Sequence, residues 1–109
     1  MDGKIVEDFD LKKSKKGIRV KNISSSQIKP AAPGNVVYAG SGLRGYGNLV
    51  IIKHSDNMLS AYANNKEIIV EVGQSVSQND AISRLDKNQI IYFEIRRDGS
   101  PVDPLRYLK

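Results

Sequence analysis

The sequence has no cysteine and no tryptophan, and His54 is the single histidine among its 109 residues. Without thiols, the chain can form neither a disulfide framework nor a thiolate metal site. A lone imidazole does not acidify water without a metal, and general base catalysis also needs a positioned nucleophile and groups that stabilise the electrophile. We therefore expect His54 to be a structural or surface residue and not a catalytic one.

Aromatic residues are scarce as well, at 6% of the chain, so the core must consist mainly of Ile, Val and Leu. These residues occur in short runs between Gly, Asn, Asp and Ser, which is typical of an all-β protein. A chain of this length fits one domain that buries roughly two thirds of its unfolded surface. No run approaches the roughly 18 apolar residues of a membrane span, and residues 1–3 do not open like a signal peptide.

Strand signals recur at regular spacing from Asn35 onward. Runs of Val, Ile and Leu alternate with turn-forming residues, such as those at 55–57 and 98–100. The predicted strands are Gly17–Val20, Val36–Ala39, Leu49–His54, Leu59–Ala63, Ile68–Val72, Ile82–Leu85 and Ile90–Arg96. Residues 22–27 are predicted to form a turn, and no window has a helical period. Short, evenly spaced strands of this kind favour a sandwich or a barrel.

The net charge of +5 favours an acidic partner, and seven of the 17 basic residues lie in the first 21 positions. Nucleic acid is the first partner to consider. However, the chain has no aromatic-basic RNA-binding pattern, no recognition-helix pattern and no zinc-finger spacing, so we expect no nucleic acid partner. A solvated basic face, an anionic cell-wall polymer and an acidic protein surface each remain consistent with the charge.

Two glycine-containing motifs suggest cofactor chemistry but lack its key residues. Gly42–Asn48 has the glycines of a phosphate loop, yet it lacks the Lys-Ser/Thr ending and runs into a strand, which indicates a hairpin connection. Gly73–Ile82 resembles the turn of lipoyl and biotinyl carrier domains. The lysines nearest a hairpin, Lys53, Lys66 and Lys87, lack the small or Met neighbours of a modifiable lysine. We predict no cofactor.

A series of short motifs resembles, in order and spacing, the LytM-type zinc metallopeptidase domain that cuts peptidoglycan cross-bridges. The closest resemblance is to its non-catalytic branch, the murein hydrolase activators of the NlpD/EnvC type. The motifs are Lys16–Ile18, Gly34–Gly40, Gly42–Asn48, Ile52–His54, Leu59–Ala63, Val72–Val76, Tyr92–Arg96 and Val102–Leu108. The resemblance implies an extended basic segment at 1–14 and, at 15–109, one degenerate peptidase-like domain. Its antiparallel sheets are expected in a barrel-sandwich-type arrangement with an open groove.

Five positions depart from the active members of this family. Their His-x-x-x-Asp pair aligns with Lys15 and Arg19, a later histidine aligns with Asn64, and a His-x-His pair aligns with Ile90 and Tyr92. Zinc sites need imidazole, thiolate or carboxylate ligands, and two cations oppose a dication. The resemblance therefore implies a protein with no metal and no catalytic residue, and it argues against a residual hydrolase.

A cleft shaped for a peptide keeps its walls when the metal ligands are lost. Tyr and Arg are frequent interface hot spots, so the cleft floor suits a peptide or a helix. The residues predicted to form a partner-binding groove are Lys15, Lys16, Arg19, Arg44, Tyr46, Tyr62, Asn64, Ile90, Tyr92 and Arg96. We expect Tyr92→Ala or Arg96→Glu to abolish partner activation while leaving the fold intact.

In the activator branch, the resemblance implies, this groove binds a periplasmic N-acetylmuramyl-L-alanine amidase and displaces its self-inhibitory element. The amidase then cleaves septal peptidoglycan, and daughter cells separate. The resemblance also implies the periplasm of a Gram-negative bacterium, with an export signal and any membrane anchor upstream of this segment. The alternative is a cell-wall module that binds peptidoglycan itself without an amidase partner.

Overall fold

The computed structural model describes residues 3–24 and 26–107. Residues 1, 2, 108 and 109, at the ends of the predicted segments 1–14 and 15–109, lie outside the described residues, as does Ser25 within the predicted turn. The all-β prediction is confirmed, since the helical elements in the described ranges are two 3-10 turns, at Leu11–Lys13 and Pro104–Arg106. No helix within residues 3–24 and 26–107 is long and apolar enough to cross a membrane.

The described strands form two antiparallel sheets. In chain order the strands are β1 (Gly3–Glu7), β2 (Ile18–Asn22), β3 (Gln27–Ile28), β4 (Gly34–Gly40), β5 (Asn48–Lys53), β6 (Met58–Asn65), β7 (Glu67–Ile68), β8 (Ser75–Val76), β9 (Ser83–Arg84), β10 (Ile90–Arg97) and β11 (Ser100–Val102). The large sheet has the order β1-β2-β10-β6-β5-β4-β8, with β11 pairing β10, and the small sheet has the order β3-β9-β7. β10 lies inside the large sheet, between β2 and β6, and the candidate functional site is built on this strand.

The predicted strands at 36–39, 49–54, 59–63 and 90–96 are confirmed as β4, β5, β6 and β10, with β5 ending at Lys53. The prediction at Ile68–Val72 is wrong beyond Ile68, because the chain turns at Gly73, whose φ is +94°, and Val72 is exposed. Of the predicted strand at 82–85, Ser83–Arg84 forms β9, and the backbone N–H groups of the flanking Ile82 and Leu85 donate to the carbonyls of Ile28 and Ser26. The predicted turn at 22–27 is shorter than expected, since Asn22 ends β2 and Gln27 begins β3.

The core joins the two sheets. Buried aliphatic residues from β2, β4, β5 and β10 pack with Ile28, Ile82 and Leu85 from the small sheet and its flanks. Along β10 the side chains alternate, as the period of two in a strand requires, and the odd-numbered residues at 91, 93 and 95 are buried in this core. The even-numbered residues at 90, 92, 94 and 96 therefore point to the opposite face of the large sheet, where the candidate site lies.

Candidate functional site

A cavity of about 650 Å³ opens on the face of β2 and β10 that points away from the core. Its lining residues, which we call the basic groove, are Glu7, Ser14, Lys15, Lys16, Arg19, Arg44, Gly45, Tyr46, Gly47, Ala63, Asn64 and Tyr92. Four of these side chains are cations and one is a carboxylate. The imbalance creates a positive potential that favours an anionic ligand.

Seven of the ten residues predicted for the groove are brought together in this cavity. They are Lys15, Lys16, Arg19, Arg44, Tyr46, Asn64 and Tyr92. Four of them, Lys15, Arg19, Asn64 and Tyr92, are positions where the family resemblance places metal-site residues in active members. The alignment of short motifs thus identified positions that are far apart in sequence and adjacent in space.

Tyr62 does not join them, and its placement in the groove was a wrong prediction. Its side chain is 4% exposed and lies in the core, with its ring centroid 5.1 Å from that of Phe93. The hydroxyl accepts a hydrogen bond of 2.8 Å from the backbone N–H of Ala31, and burial raises the pKa of Tyr62. Alternation along β6 breaks at Asn64, whose φ of +67° is left-handed, so Asn64 reaches the groove whereas Tyr62 faces inward.

Ile90 and Arg96 also lie outside the lining of the basic groove. The Ile90 side chain is 41% exposed, and its carbonyl accepts a 2.6 Å hydrogen bond from Nδ2 of Asn64, so it contributes backbone and not side chain to this region. Arg96 lies four residues beyond Tyr92 on the same face of β10, where it lines a second cavity. Both positions differ from the prediction because the groove ends at Tyr92 along the strand.

Tyr92 is at the centre of the basic groove. Arg19 is its direct neighbour across the β2–β10 pair, and the guanidinium carbon lies 5.3 Å from the Tyr92 ring centroid, in a cation–π arrangement. The centroid of the Tyr46 ring lies 6.4 Å from that of the Tyr92 ring. The Tyr92 hydroxyl donates a 2.9 Å hydrogen bond to Oε2 of Glu94. The pKa of Tyr92 is raised mainly by partial burial and, to a smaller extent, by the charge and the hydrogen bond of Glu94, so the hydroxyl remains a donor.

Gly17 allows Tyr92 to occupy this place. A Cβ atom at Gly17 would lie 2.4 Å from the carbonyl oxygen of Phe93 and 2.9 Å from both Cζ and the hydroxyl of Tyr92. The first contact is with backbone and cannot be relieved by a side-chain rotation. The residue between the two groove lysines and β2 therefore has to be glycine for steric reasons.

Two local structures bring the remaining groove side chains into position. The backbone N–H and carbonyl of Asp10 both bond to Lys15, at 2.9 and 2.8 Å, and this pairing closes a turn that places Lys15 beside Glu7. Glu7 lies 3.6 Å from Lys15 Nζ and 3.5 Å from Arg19 Nε. On the opposite wall, the backbone N–H of Asn64 donates to the carbonyl of Tyr46 at 2.9 Å and holds the loop that carries Tyr46.

Sequence reasoning missed the roles of Glu7 and Glu94. Glu7 enters the groove only because β1 pairs with β2, a non-local contact that no motif indicates. Glu94 is 4% exposed and accepts hydrogen bonds from the Tyr92 hydroxyl and from Nε of Arg96, the latter at 2.5 Å. Alternation along β10 places Tyr92, Glu94 and Arg96 on one face of the sheet, and this could have been predicted from the sequence. Glu94 and Arg96 form their ion pair along a single strand, two residues apart.

His54 lies outside the groove and is held by two hydrogen bonds. Its Nδ1 is 2.8 Å from the carbonyl oxygen of Pro33, which can only accept, so Nδ1 carries the proton in the neutral ring. Nε2 is then the acceptor for the hydroxyl of Ser60, at 2.7 Å. These contacts agree with a structural role. Within the part of the chain that the structure describes, no three His, Asp or Glu side chains come together as a metal-binding group.

Comparisons with known proteins identify one family and several relatives of the chain. Residues 13–104 match the model of peptidase family M23. The chain is 46% identical to a lipoprotein NlpD/LppB homolog of Pseudomonas aeruginosa, over 85% of this chain and 33% of the relative. It is 43% identical to murein hydrolase activator NlpD of Escherichia coli, over 98% of this chain and 30% of that protein. The chain thus spans about a third of the length of these relatives.

A solved structure of Helicobacter pylori Csd3 superposes with a TM-score of 0.86, covering 100% of this chain and 32% of that chain. The identity in this pair is 23%, so the similarity shows the fold alone. The family model covers all of the basic groove except Glu7, and the two curated relatives are more than 40% identical to the chain. By sequence and by fold, the chain belongs to peptidase family M23.

Proposed function

We propose that this domain is a non-catalytic regulator that binds and activates an N-acetylmuramyl-L-alanine amidase through the basic groove. The observation that carries the proposal is the convergence of Lys15, Arg19, Asn64 and Tyr92 in one cavity. The family resemblance aligns these four positions with the metal-site residues of active members. The name of the Escherichia coli relative, murein hydrolase activator, also supports a role in activation.

The side chains at these positions do not fit the zinc ion of the family. Lys15 and Arg19 offer no lone pair when protonated, and each is paired with Glu7. The Tyr92 hydroxyl donates to Glu94, and Nδ2 of Asn64 donates to a carbonyl. A catalytic zinc site needs three imidazole, thiolate or carboxylate ligands and an open position for water. We derive no hydrolytic step from this set of groups.

The same side chains are well suited to binding. Tyr92 and Tyr46 present aromatic surface, while Lys16 and Arg44 have no described carboxylate within 4 Å to neutralise them. Such a surface would activate an amidase by binding its open state more tightly than its self-inhibited state. The shift between those states cannot exceed the difference in the two binding free energies.

This proposal places the protein in the periplasm of a Gram-negative cell, where amidase activation at septal peptidoglycan separates daughter cells. The relatives named above, a lipoprotein homolog and a murein hydrolase activator, support that location. A membrane anchor through segments upstream of this domain is part of the same proposal.

An activation assay with purified amidases and dye-labelled sacculi tests the proposal. Arg44 is exposed and unpaired among the described carboxylates, so Arg44→Glu changes the groove charge without removing a structural contact. We expect this variant to lose activation at least about tenfold, a change of about 1.4 kcal/mol. Arg106→Glu is the matched control, because Arg106 is also exposed but lies outside the groove, in the 3-10 turn at Pro104–Arg106.

Four outcomes would count against the proposal. Wild-type domain that activates no amidase in the panel refutes it, as does full activation by Arg44→Glu. Stoichiometric zinc together with chelator-sensitive cleavage of sacculi by the domain alone would make it an enzyme. Binding to sacculi without any effect on amidase would favour the alternative, a peptidoglycan-binding module.

A further inference from the structure

A second cavity, of about 170 Å³, lies beside the basic groove on the same face of the large sheet. Its lining residues, which we call the apolar pocket, are Leu43, Tyr46, Leu49, Ile51, Leu59, Ala61, Glu94 and Arg96. The volume is several times the roughly 30 Å³ that one water molecule occupies in the liquid. The walls are aliphatic, and the charged pair stands at one side.

The apolar pocket exists because a small residue stands in the middle of a row of larger ones. Across the sheet, Ala61 of β6 lies between Glu94 of β10 and Ile51 of β5 in register. Neighbouring side chains on one face of a sheet are about 5 Å apart, so a methyl group in the central position leaves an opening between its neighbours. Leu43 and Tyr46, from the loop after β4, close the opening from above while remaining 45% and 38% exposed.

The apolar pocket and the basic groove are parts of one continuous surface. Tyr46 lines both of them. A chain of hydrogen bonds also runs from Tyr92 in the groove through Glu94 to Arg96 in the pocket. Both carboxylate oxygens of Glu94 are used in this chain, so Glu94 acts as a positioning residue that orients one side chain in each cavity.

We infer that the apolar pocket binds a single aliphatic side chain of the same partner segment whose carboxylates bind in the basic groove. The partner segment is thus an acidic peptide with one apolar anchor, and not an acidic peptide alone. Charge complementarity with four groove cations supports the acidic part, and the aliphatic walls support the anchor. The identity of the partner as an amidase rests on the proposed function, whereas the chemistry of the segment does not.

The sheet also sets the distance between the two parts of the segment. Tyr92 and Arg96 are four residues apart on β10, which corresponds to about 13 Å along the strand. A partner spans that distance with about four residues in an extended conformation or about nine in a helix. Acidic and apolar residues at one of these two separations are the signature that we expect in a bound peptide.

Selection of a phage-displayed library of random dodecapeptides on the immobilised domain tests the inference without any amidase. We expect the selected peptides to combine Asp or Glu with one Leu, Ile or Met at a constant separation. Replacing that anchor by Ala in synthetic peptides should lower the affinity for the wild-type domain about tenfold, or about 1.4 kcal/mol. Raising the salt concentration should weaken binding further by screening the groove cations.

Ala61→Leu fills the apolar pocket and provides the matched variant. It should bind the selected peptides about tenfold more weakly than wild type, and it should no longer distinguish Leu from Ala at the anchor position. Ala81→Leu, at a partly buried residue that lines neither cavity, is the control. Leu43→Ala removes an exposed wall of the pocket and should act in the same direction even if Ala61→Leu fails to fold.

The outcomes separate this inference from the proposed function. Selection of peptides without an apolar anchor, no selection at all, or equal binding by wild type, Ala61→Leu and Leu43→Ala would overturn the inference even if the domain activates an amidase. Selection of acidic, singly anchored peptides that depend on Ala61 and Leu43 supports it, and it does so even if no amidase is activated.

Discussion

Removing Arg96 should destabilise the fold more than removing its partner Glu94. The two groups form one ion pair, but the side chain of Glu94 taken alone is 5% exposed and that of Arg96 is 36% exposed. Arg96→Ala leaves a carboxylate that is buried and holds one remaining partner, the Tyr92 hydroxyl. Glu94→Ala leaves a guanidinium that can turn towards water. Because the two partners are unequally exposed, Arg96→Ala should lower the free energy of unfolding more than Glu94→Ala does.

The size of the effect follows from the surroundings of Glu94. Breaking a fully buried pair costs about 3–5 kcal/mol, because one charge is left uncompensated. Here the pair is only partly buried, since the Arg96 side chain is 36% exposed, so we expect Arg96→Ala to cost about 2–3 kcal/mol. Glu94→Ala, which loses two hydrogen bonds but strands no buried charge, should cost about 1–2 kcal/mol. Adding Glu94→Gln to Arg96→Ala removes the stranded charge and should recover about 1 kcal/mol.

Urea unfolding followed by circular dichroism measures these differences, provided that the dependence on urea stays the same among the variants. Arg97→Ala is the control, because Arg97 is the next residue of β10 and is exposed. The reasoning is refuted if Arg96→Ala unfolds with the free energy of wild type, or if Glu94→Gln destabilises Arg96→Ala further.

The ion pair also changes the interpretation of a variant chosen from sequence. Arg96→Glu was expected to abolish activation with the fold intact, but it would place a second carboxylate next to buried Glu94. Like charges in a partly buried site repel strongly. Loss of activation by Arg96→Glu would therefore report on stability as well as on binding, and Arg44→Glu is the cleaner test.

Two further predictions concern the centre of the groove. Gly17→Ala should lower the free energy of unfolding in urea by about 1–3 kcal/mol, because the added Cβ would lie 2.4 Å from the Phe93 carbonyl oxygen. The control Gly40→Ala should be close to neutral, since its nearest contact would be 3.6 Å away, and equal stabilities of the two variants would contradict the steric argument. Because the pKa of Tyr92 is raised by partial burial and by Glu94, the stability it contributes is present below pH of about 10 and is lost as the pH rises above it. Unfolding free energies measured from pH 9 to 11.5 should therefore fall more steeply in wild type than in Tyr92→Phe, and parallel curves would show that Tyr92 does not titrate in this way.

The strand pattern and much of the groove could be predicted from the sequence. Four strands lie where alternating aliphatic residues placed them, since that alternation matches the period of a strand with one buried face. The order of the motifs also predicted that Lys15, Arg19, Asn64 and Tyr92 lie together, and all four line one cavity. The placement of Tyr62 was wrong because Tyr62 points into the core, and only the left-handed backbone at Asn64, two residues later, lets that side chain reach the groove.

The sequence by itself determined the all-β class, the positive charge and the absence of thiols and of a second histidine, because these properties belong to composition and short-range periodicity. Only the tertiary structure decided that Glu7 enters the groove, that Glu94 is buried between Tyr92 and Arg96, and that Ala61 opens a pocket next to them. Each of these depends on which strands are neighbours and in which register. Pairing between distant strands is a property of the whole chain, so no local pattern contains it.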